Sequence, residues 1–173
     1  MTTGQPAPLD EAEVASTVGE RETLEAFLDY HRRHIPERLT GLTEEQARRS
    51  LVPSATTLIG LVKHLAAVER AWFHRILAQR PAEEIKGNSR GDEPSWQVGP
   101  DETIADVIAE YEAACAESRQ IAAGFALDDA VPHPRLGRVS LRWIYIHMIE
   151  ETAQHAGHAD ILREQIDGAT GLG

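Results

Sequence analysis

The segment that most restricts the possible folds is the run from Ser140 to Ile166, a long helical-period pattern whose apolar stripe is interrupted by a carboxylate. At about 100° per residue, Leu141, Ile144, Met148, Ala159, Leu162 and Ile166 fall on one narrow face. Glu151 and His155 lie in the middle of that face. They are four residues apart, so their side chains stand one above the other on a helix. Glu150 and Gln154 point away and read as ordinary surface residues. A carboxylate aimed into a helical core is costly unless it is paired or bound to a metal. Any fold for this chain must therefore offer that stripe an apolar partner surface and give Glu151 a partner.

Three further helical segments supply the surface. From Glu20, Leu24, Phe27, Leu28, Ile35 and Leu39 recur at helical spacing until Gly41. Thr43 with Gln46 has the capping-box form for a short additional turn. The second long segment starts near Ser54–Thr57 and runs to about Gln79 through Leu58, Leu61, Leu65, Val68, Trp72 and Ile76. The third follows Pro100-Asp101 and carries Ile104, Val107, Ile108, Tyr111 and Ile121 to about Phe125. Ser140 is a good N-cap for the fourth, which ends before Gly168. Between the second and third, residues 81–102 hold three prolines, three glycines and Trp96 in a loop long enough to suggest a lid. Residues 128–138, with Pro132-His-Pro, read as a second irregular connection. No strand-like alternation or internal repeat is found. The expectation is an all-α four-helix bundle with long connections between helices 2–3 and 3–4, spanning residues 19–168, with an N-terminal arm of residues 1–18 and a C-terminal tail of residues 169–173.

Composition narrows the function classes. With 17 Lys+Arg against 28 Asp+Glu the net charge is −11, which repels a nucleic-acid backbone or an anionic membrane overall. Arg32–Arg33 and Arg48–Arg49 read as solvated helix faces. No apolar run approaches the roughly 20 residues that span a bilayer, and the N-terminus lacks a signal-peptide pattern, so a cytoplasmic protein is expected. A single cysteine, Cys115, permits neither an intrachain disulfide nor a thiolate zinc site, and it reads as a small buried hydrophobe.

His64 borders the apolar arc of the second segment. One ligand from that helix and the Glu151–His155 pair from the fourth would hold a metal between two antiparallel helices. Two histidines and a glutamate leave a coordination position open, as in catalytic zinc sites. The competing reading is an inward Glu–His hydrogen-bonded pair. His158 and His147 flank the stripe as alternative ligands or as groups that orient a ligand through the free nitrogen. Glu69 is a weaker candidate, and His74, His31 and His34 are expected at the surface; His133 sits between prolines with no assignable role. Trp72, Trp96 and Trp143 are candidates for a pocket; core packing is the competing reading of Trp72 and Trp143, whereas Trp96 in a polar loop has no periodic reason for burial and would close over a pocket.

The runs Gly19-Glu-Arg-Glu-Thr-Leu, Pro53-Ser-Ala-Thr-Thr-Leu-Ile-Gly-Leu-Val-Lys-His64 and His147-Met-Ile-Glu-Glu-Thr-Ala-Gln-His155 resemble the DinB-like superfamily. Within it they are similar to an actinobacterial branch, some members of which are mycothiol S-transferases. The resemblance covers roughly residues 19–168. It implies a four-helix bundle in which His64 and an i,i+4 pair on the last helix hold a metal. Many relatives carry two histidines there; Glu151 departs from that pattern but is similar to the His–Glu–His set of mycothiol-dependent maleylpyruvate isomerases. The resemblance further implies mycothiol or a similar thiol as cosubstrate. A thiol of pKa about 8.5 is mostly protonated at neutral pH, and metal coordination would convert it to the nucleophilic thiolate.

The expected function is a metal-dependent thiol S-transferase acting on small electrophiles in detoxification, with Zn or Ni at the site. The alternatives are a metal-dependent hydrolase or isomerase that activates water, and a non-catalytic, stress-related metal-binding bundle. A homodimer is compatible with either class.

Overall fold

The computed structural model describes residues 9–170. Four long helices carry the fold: α1 (Glu20–Glu37), α2 (Leu58–Glu69), α3 (Ile104–Ala122) and α4 (Leu141–Asp167). Two short helical turns, Glu11–Val14 and Ala15–Thr17, precede α1, and Ala15 is buried. Thr43 forms the expected capping box with Gln46 at the short turn Glu44–Ala47. Thr57, Thr103 and Ser140 cap α2, α3 and α4, each hydroxyl accepting a backbone N–H three residues on. The left-handed Gly168 ends α4 at φ 77°.

Beyond Glu69, α2 continues without a break as the wider π-helical segment Arg70–Leu77. Gln79 follows with φ 55°, and its side-chain amide donates to the carbonyls of Ile76 and Pro132. The third helix stops at Ala122, short of the expected Phe125, where the guanidinium of Arg21 takes the carbonyls of Ala122 and Phe125.

The connection over 128–138 is not irregular. It folds into a two-stranded antiparallel hairpin, β1 (Ala130–His133) and β2 (Gly137–Ser140), with Val131 opposite Val139. Both valines are buried against the helices. The strands are only four residues long, and a proline in β1 interrupts the alternation. Helical and strand periods cannot be told apart over so short a run.

Helix α1 packs on α4, α2 packs on α3, and α2 also meets α4. The core divides into two apolar clusters. One gathers Ile35, Leu61, Leu65, Tyr111 and Leu162; the other gathers Leu28, Phe73, Leu141, Ile144 and Met148. Where they meet, each long helix changes character. Arg32 lies between Leu28 and Ile35, Glu69 follows Val68, Ser118 lies between Cys115 and Ala122, and Thr152 and His155 lie between Met148 and Ala156; all are buried. The fold thus carries a polar layer across its middle, and a buried polar layer must be satisfied internally.

Part of it is an ion pair that reading the sequence missed. Arg32 donates to both carboxylate oxygens of Glu69, Nε at 2.8 Å and Nη2 at 2.7 Å, while Nη1 reaches Asp29 at 2.9 Å. Arg32 is therefore no solvated-face residue, and Glu69 is spoken for by a guanidinium. The clue was present in Glu69, an acid on the border of an apolar arc, where burial calls for a cation. His74, expected at the surface, is also buried. Its Nε2 lies 3.3 Å from Ser118 Oγ, and the wider π turn helps carry it inward. Burial lowers its pKa. Arg48 likewise is turned inward, donating to the carbonyls of Val98, Gly99 and Glu102.

Candidate metal centre

Helix α2 places His64 two turns from its N-cap, and α4 places Glu151 and His155 one turn apart near its middle. The helices bring the three side chains to one point. His155 Nε2 lies 3.2 Å from Glu151 Oε1, and His64 Nε2 lies 3.7 Å from the same oxygen. One potential donor atom from each residue falls within 4.8 Å of the others. His64 is 2 % exposed and His155 8 % exposed, while Glu151 is partly open to solvent. Hydrogen bonds from His155 and then His64 hold the Glu151 carboxyl well below the usual carboxylate range, outweighing its burial.

The donor set suits a divalent ion. Four ligands at zinc–nitrogen distances of 2.0–2.1 Å in a tetrahedron stand about 3.3 Å apart, close to the two separations from Glu151. Two imidazole nitrogens and a carboxylate oxygen suit Zn and Ni alike. The Nδ1 atoms of His64 and His155 are buried with no hydrogen-bond partner among the described residues. The protein gives neither Nδ1 a partner, so a metal bound at the two Nε2 atoms would replace their contacts to Glu151 and leave the ring proton on Nδ1.

The long loop supplies a roof. Its short turn Glu93–Trp96 sets the Trp96 ring 4.3 Å from the His64 ring and 5.7 Å from the His155 ring, centroid to centroid. Gly60 makes this possible. A Cβ there would stand 2.3 Å from the Trp96 carbonyl oxygen, so only glycine admits the loop backbone this close to α2. Lys63 pairs with Glu102 farther along the loop, and Asp92 accepts from Ser95 Oγ at 2.9 Å. No periodicity pointed to Gly60; its role depends on a segment 36 residues downstream.

The other candidates lie elsewhere. His158 is exposed, its ring edge-on to His155 at 5.5 Å, and it lines a separate cavity of about 290 Å³ with Val52, Ser54 and Thr56. His147, one turn before Glu151, packs with Trp72 at 4.4 Å and Trp143 at 5.1 Å. Trp143 is 40 % exposed, so it is not the core residue its helical spacing suggested. Trp72 is half-buried and stacks on His133. His31 and His34 are half-buried against Tyr30 rather than fully solvated. Cys115 is buried as expected, and burial pushes its thiol well above the ordinary range.

Among the described residues, no helix is long and apolar enough to cross a membrane. No curated protein matches the chain. The sequence profile of the family described as Mycothiol-S-transferase matches residues 23–168, a span that includes α2 with His64, α4 with Glu151 and His155, and the loop that roofs them. With most of its length matched, the chain belongs to the mycothiol-S-transferase family.

Proposed function

We propose that this chain is a metal-dependent thiol S-transferase that uses mycothiol or a similar small thiol against electrophilic small molecules. His64, Glu151 and His155 hold the metal, Zn or Ni. We read its four long helices as a DinB-like four-helix bundle formed by residues 19–168, with an arm before it and a tail of residues 169–173 after it. Residues 1–8 and 171–173 lie outside the described residues. The cytoplasm is the expected compartment, with detoxification as the role.

The observation that carries the reading is the convergence of His64, Glu151 and His155 within 4.8 Å in a chain of this family. A divalent ion there supplies a Lewis acid that favours the thiolate over the thiol at neutral pH. The protein's own groups set the conditions. Glu151 stays ionised and offsets only part of a divalent charge, which leaves the centre attractive to an anionic sulfur. His64 and His155 would supply imidazole nitrogens from rigid helices. Trp96 packs against both imidazoles and forms one wall of the approach to them. Cys115 is buried and takes no part.

Purified protein should carry close to one divalent metal per chain by elemental analysis, and His155→Ala should lose it. Full occupancy in that variant would remove His155 from the ligand set. A bimane-type electrophile offered with mycothiol, bacillithiol or glutathione should react faster with the metal-loaded protein. A metal-loaded protein that accelerates none of these reactions would refute the transferase reading.

A further inference from the structure

A second cavity lies on the side of the triad nearer the N-terminus of α4. It has a volume of about 520 Å³, within the range of small-molecule sites. The end of α2, the turn of the β1–β2 hairpin and the first turns of α4 enclose it. Its walls are aromatic. Trp72 and His133 stack at 5.4 Å with 10° between planes, Trp143 and His147 stack at 5.1 Å with 15°, and Trp72 and His147 join the two pairs at 4.4 Å.

Its charge is the opposite of the chain's. The protein carries −11 overall, yet no Asp or Glu lines this cavity, while Arg75 and Arg135 do. Both guanidiniums are on exposed residues, and neither has an ion pair among the described residues. Elsewhere among the described residues Arg21, Arg32, Arg38, Arg70, Arg80, Arg119, Arg142 and Arg163 each meet a carboxylate, whereas Arg48, Arg49, Arg90 and Arg138 do not; Arg75 and Arg135 differ in lining one cavity together with no acid beside them. The hairpin turn also fixes His133. Its Nδ1 accepts the backbone N–H groups of Arg135 and Leu136 at 3.2 and 3.1 Å, which leaves Nε2–H as a donor. Burial and then the positive charges of Arg135 and Arg75 lower its pKa, as expected where cations face a site with no offsetting acid.

Flat π faces select a planar, unsaturated body, because aromatic rings gain most from offset or edge-on contact with another π system. Two unneutralised guanidiniums select a carboxylate, which they match in shape as well as charge. We propose that this cavity binds a planar aromatic carboxylate, held by Trp72 and Trp143 on its ring and by Arg75 and Arg135 on its acid group. The position suggests a role. His147 is one helical turn from Glu151, and Trp72 is eight residues beyond His64 on the facing helix, so the cavity lies one to two helical turns from the triad along α2 and α4, with no triad residue in its lining. That the bound anion is the partner of the thiol reaction rests on the function proposed above; that the cavity binds it does not.

The test uses the full-length protein and 1-naphthoate, with 1-naphthalenemethanol as the neutral control, followed by calorimetry and by quenching of tryptophan emission. Naphthoate should bind more tightly than the alcohol, and its affinity should fall with added salt. The double variant Arg75→Ala/Arg135→Ala should weaken naphthoate about tenfold, the loss of two exposed charge contacts, and leave the alcohol unchanged. The variant His155→Ala should still bind naphthoate. Equal affinity for acid and alcohol, or no effect of the double arginine variant, would overturn the proposal. Retained naphthoate binding in a protein without metal-dependent thiol chemistry would overturn only the function above and leave this site standing.

Discussion

Replacing Gly60 by alanine sets two effects of known size against each other. Gly60 lies within α2, where alanine favours the helix over glycine by about 1 kcal/mol. An isolated helix would gain that amount. In the folded chain the new methyl would stand 2.3 Å from the Trp96 carbonyl oxygen and 2.9 Å from Thr57 Oγ1. The first neighbour is backbone and cannot rotate away, so the loop must retreat by roughly 1 Å to restore ordinary contact. Overpacking of this kind costs about 1–3 kcal/mol. The clash therefore wins: Gly60→Ala should be destabilised by about 0–2 kcal/mol, and a shift of 1 kcal/mol moves Tm by about 2–4 °C in a domain of this size. Retreat of the loop also withdraws Trp96 from the two imidazoles. Urea unfolding gives the first quantity. The second is read from tryptophan emission in a background where Trp72 and Trp143 are phenylalanine. A variant stabilised by about 1 kcal/mol with unchanged Trp96 emission would refute the argument, because it would mean that the loop does not lie on Gly60 at all.

Glu69→Ala strands the buried Arg32 guanidinium and should cost about 3–5 kcal/mol in urea unfolding, while replacing both Arg32 and Glu69 with apolar residues of similar volume should recover most of it. Ser140→Ala removes the N-cap of α4 and should lower stability by about 1 kcal/mol in the same assay, with the metal content of the protein unchanged. Hydrogen bonds hold two loop carboxyls below their ordinary values: Lys63 and then Gly99 act on Glu102, and Ser95 and Asn88 act on Asp92. Depressed folded-state values contribute stability that is complete above the unfolded carboxylate pKa of about 4 and fades as the pH falls below it. Amide exchange in residues 81–102 should therefore accelerate between pH 5 and pH 3 relative to α2, which carries no such carboxyl, after correction for the intrinsic pH dependence; uniform change across both would contradict it.

How much the sequence disclosed depended on the range of the interaction. The long helices, the caps Thr43 and Ser140 and the i,i+4 spacing of Glu151 and His155 were legible because each rests on residues within four positions of one another, where helical geometry alone fixes the neighbours. The inward carboxylate of Glu151 announced an unusual centre before any partner was known. His64 as the third residue came from resemblance to a family, since periodicity placed it only at the border of an arc. The hairpin at 130–140 was missed because four-residue strands carry too little alternation to distinguish. Arg32 was misread for a related reason, since two adjacent arginines look like a solvated face until Glu69, 37 residues away, comes to meet one of them.

The sequence by itself determined that this chain would be helical and that one helix would carry a carboxylate and an imidazole on its buried face. Tertiary structure alone decided how they are surrounded: the distance at which His64 faces them across the seam, the gap at Gly60 through which Trp96 reaches them, and the place where Arg75 and Arg135 meet an aromatic wall. Those choices join residues far apart along the chain, and only packing of the helices, driven by burial of the two apolar clusters, brings them together.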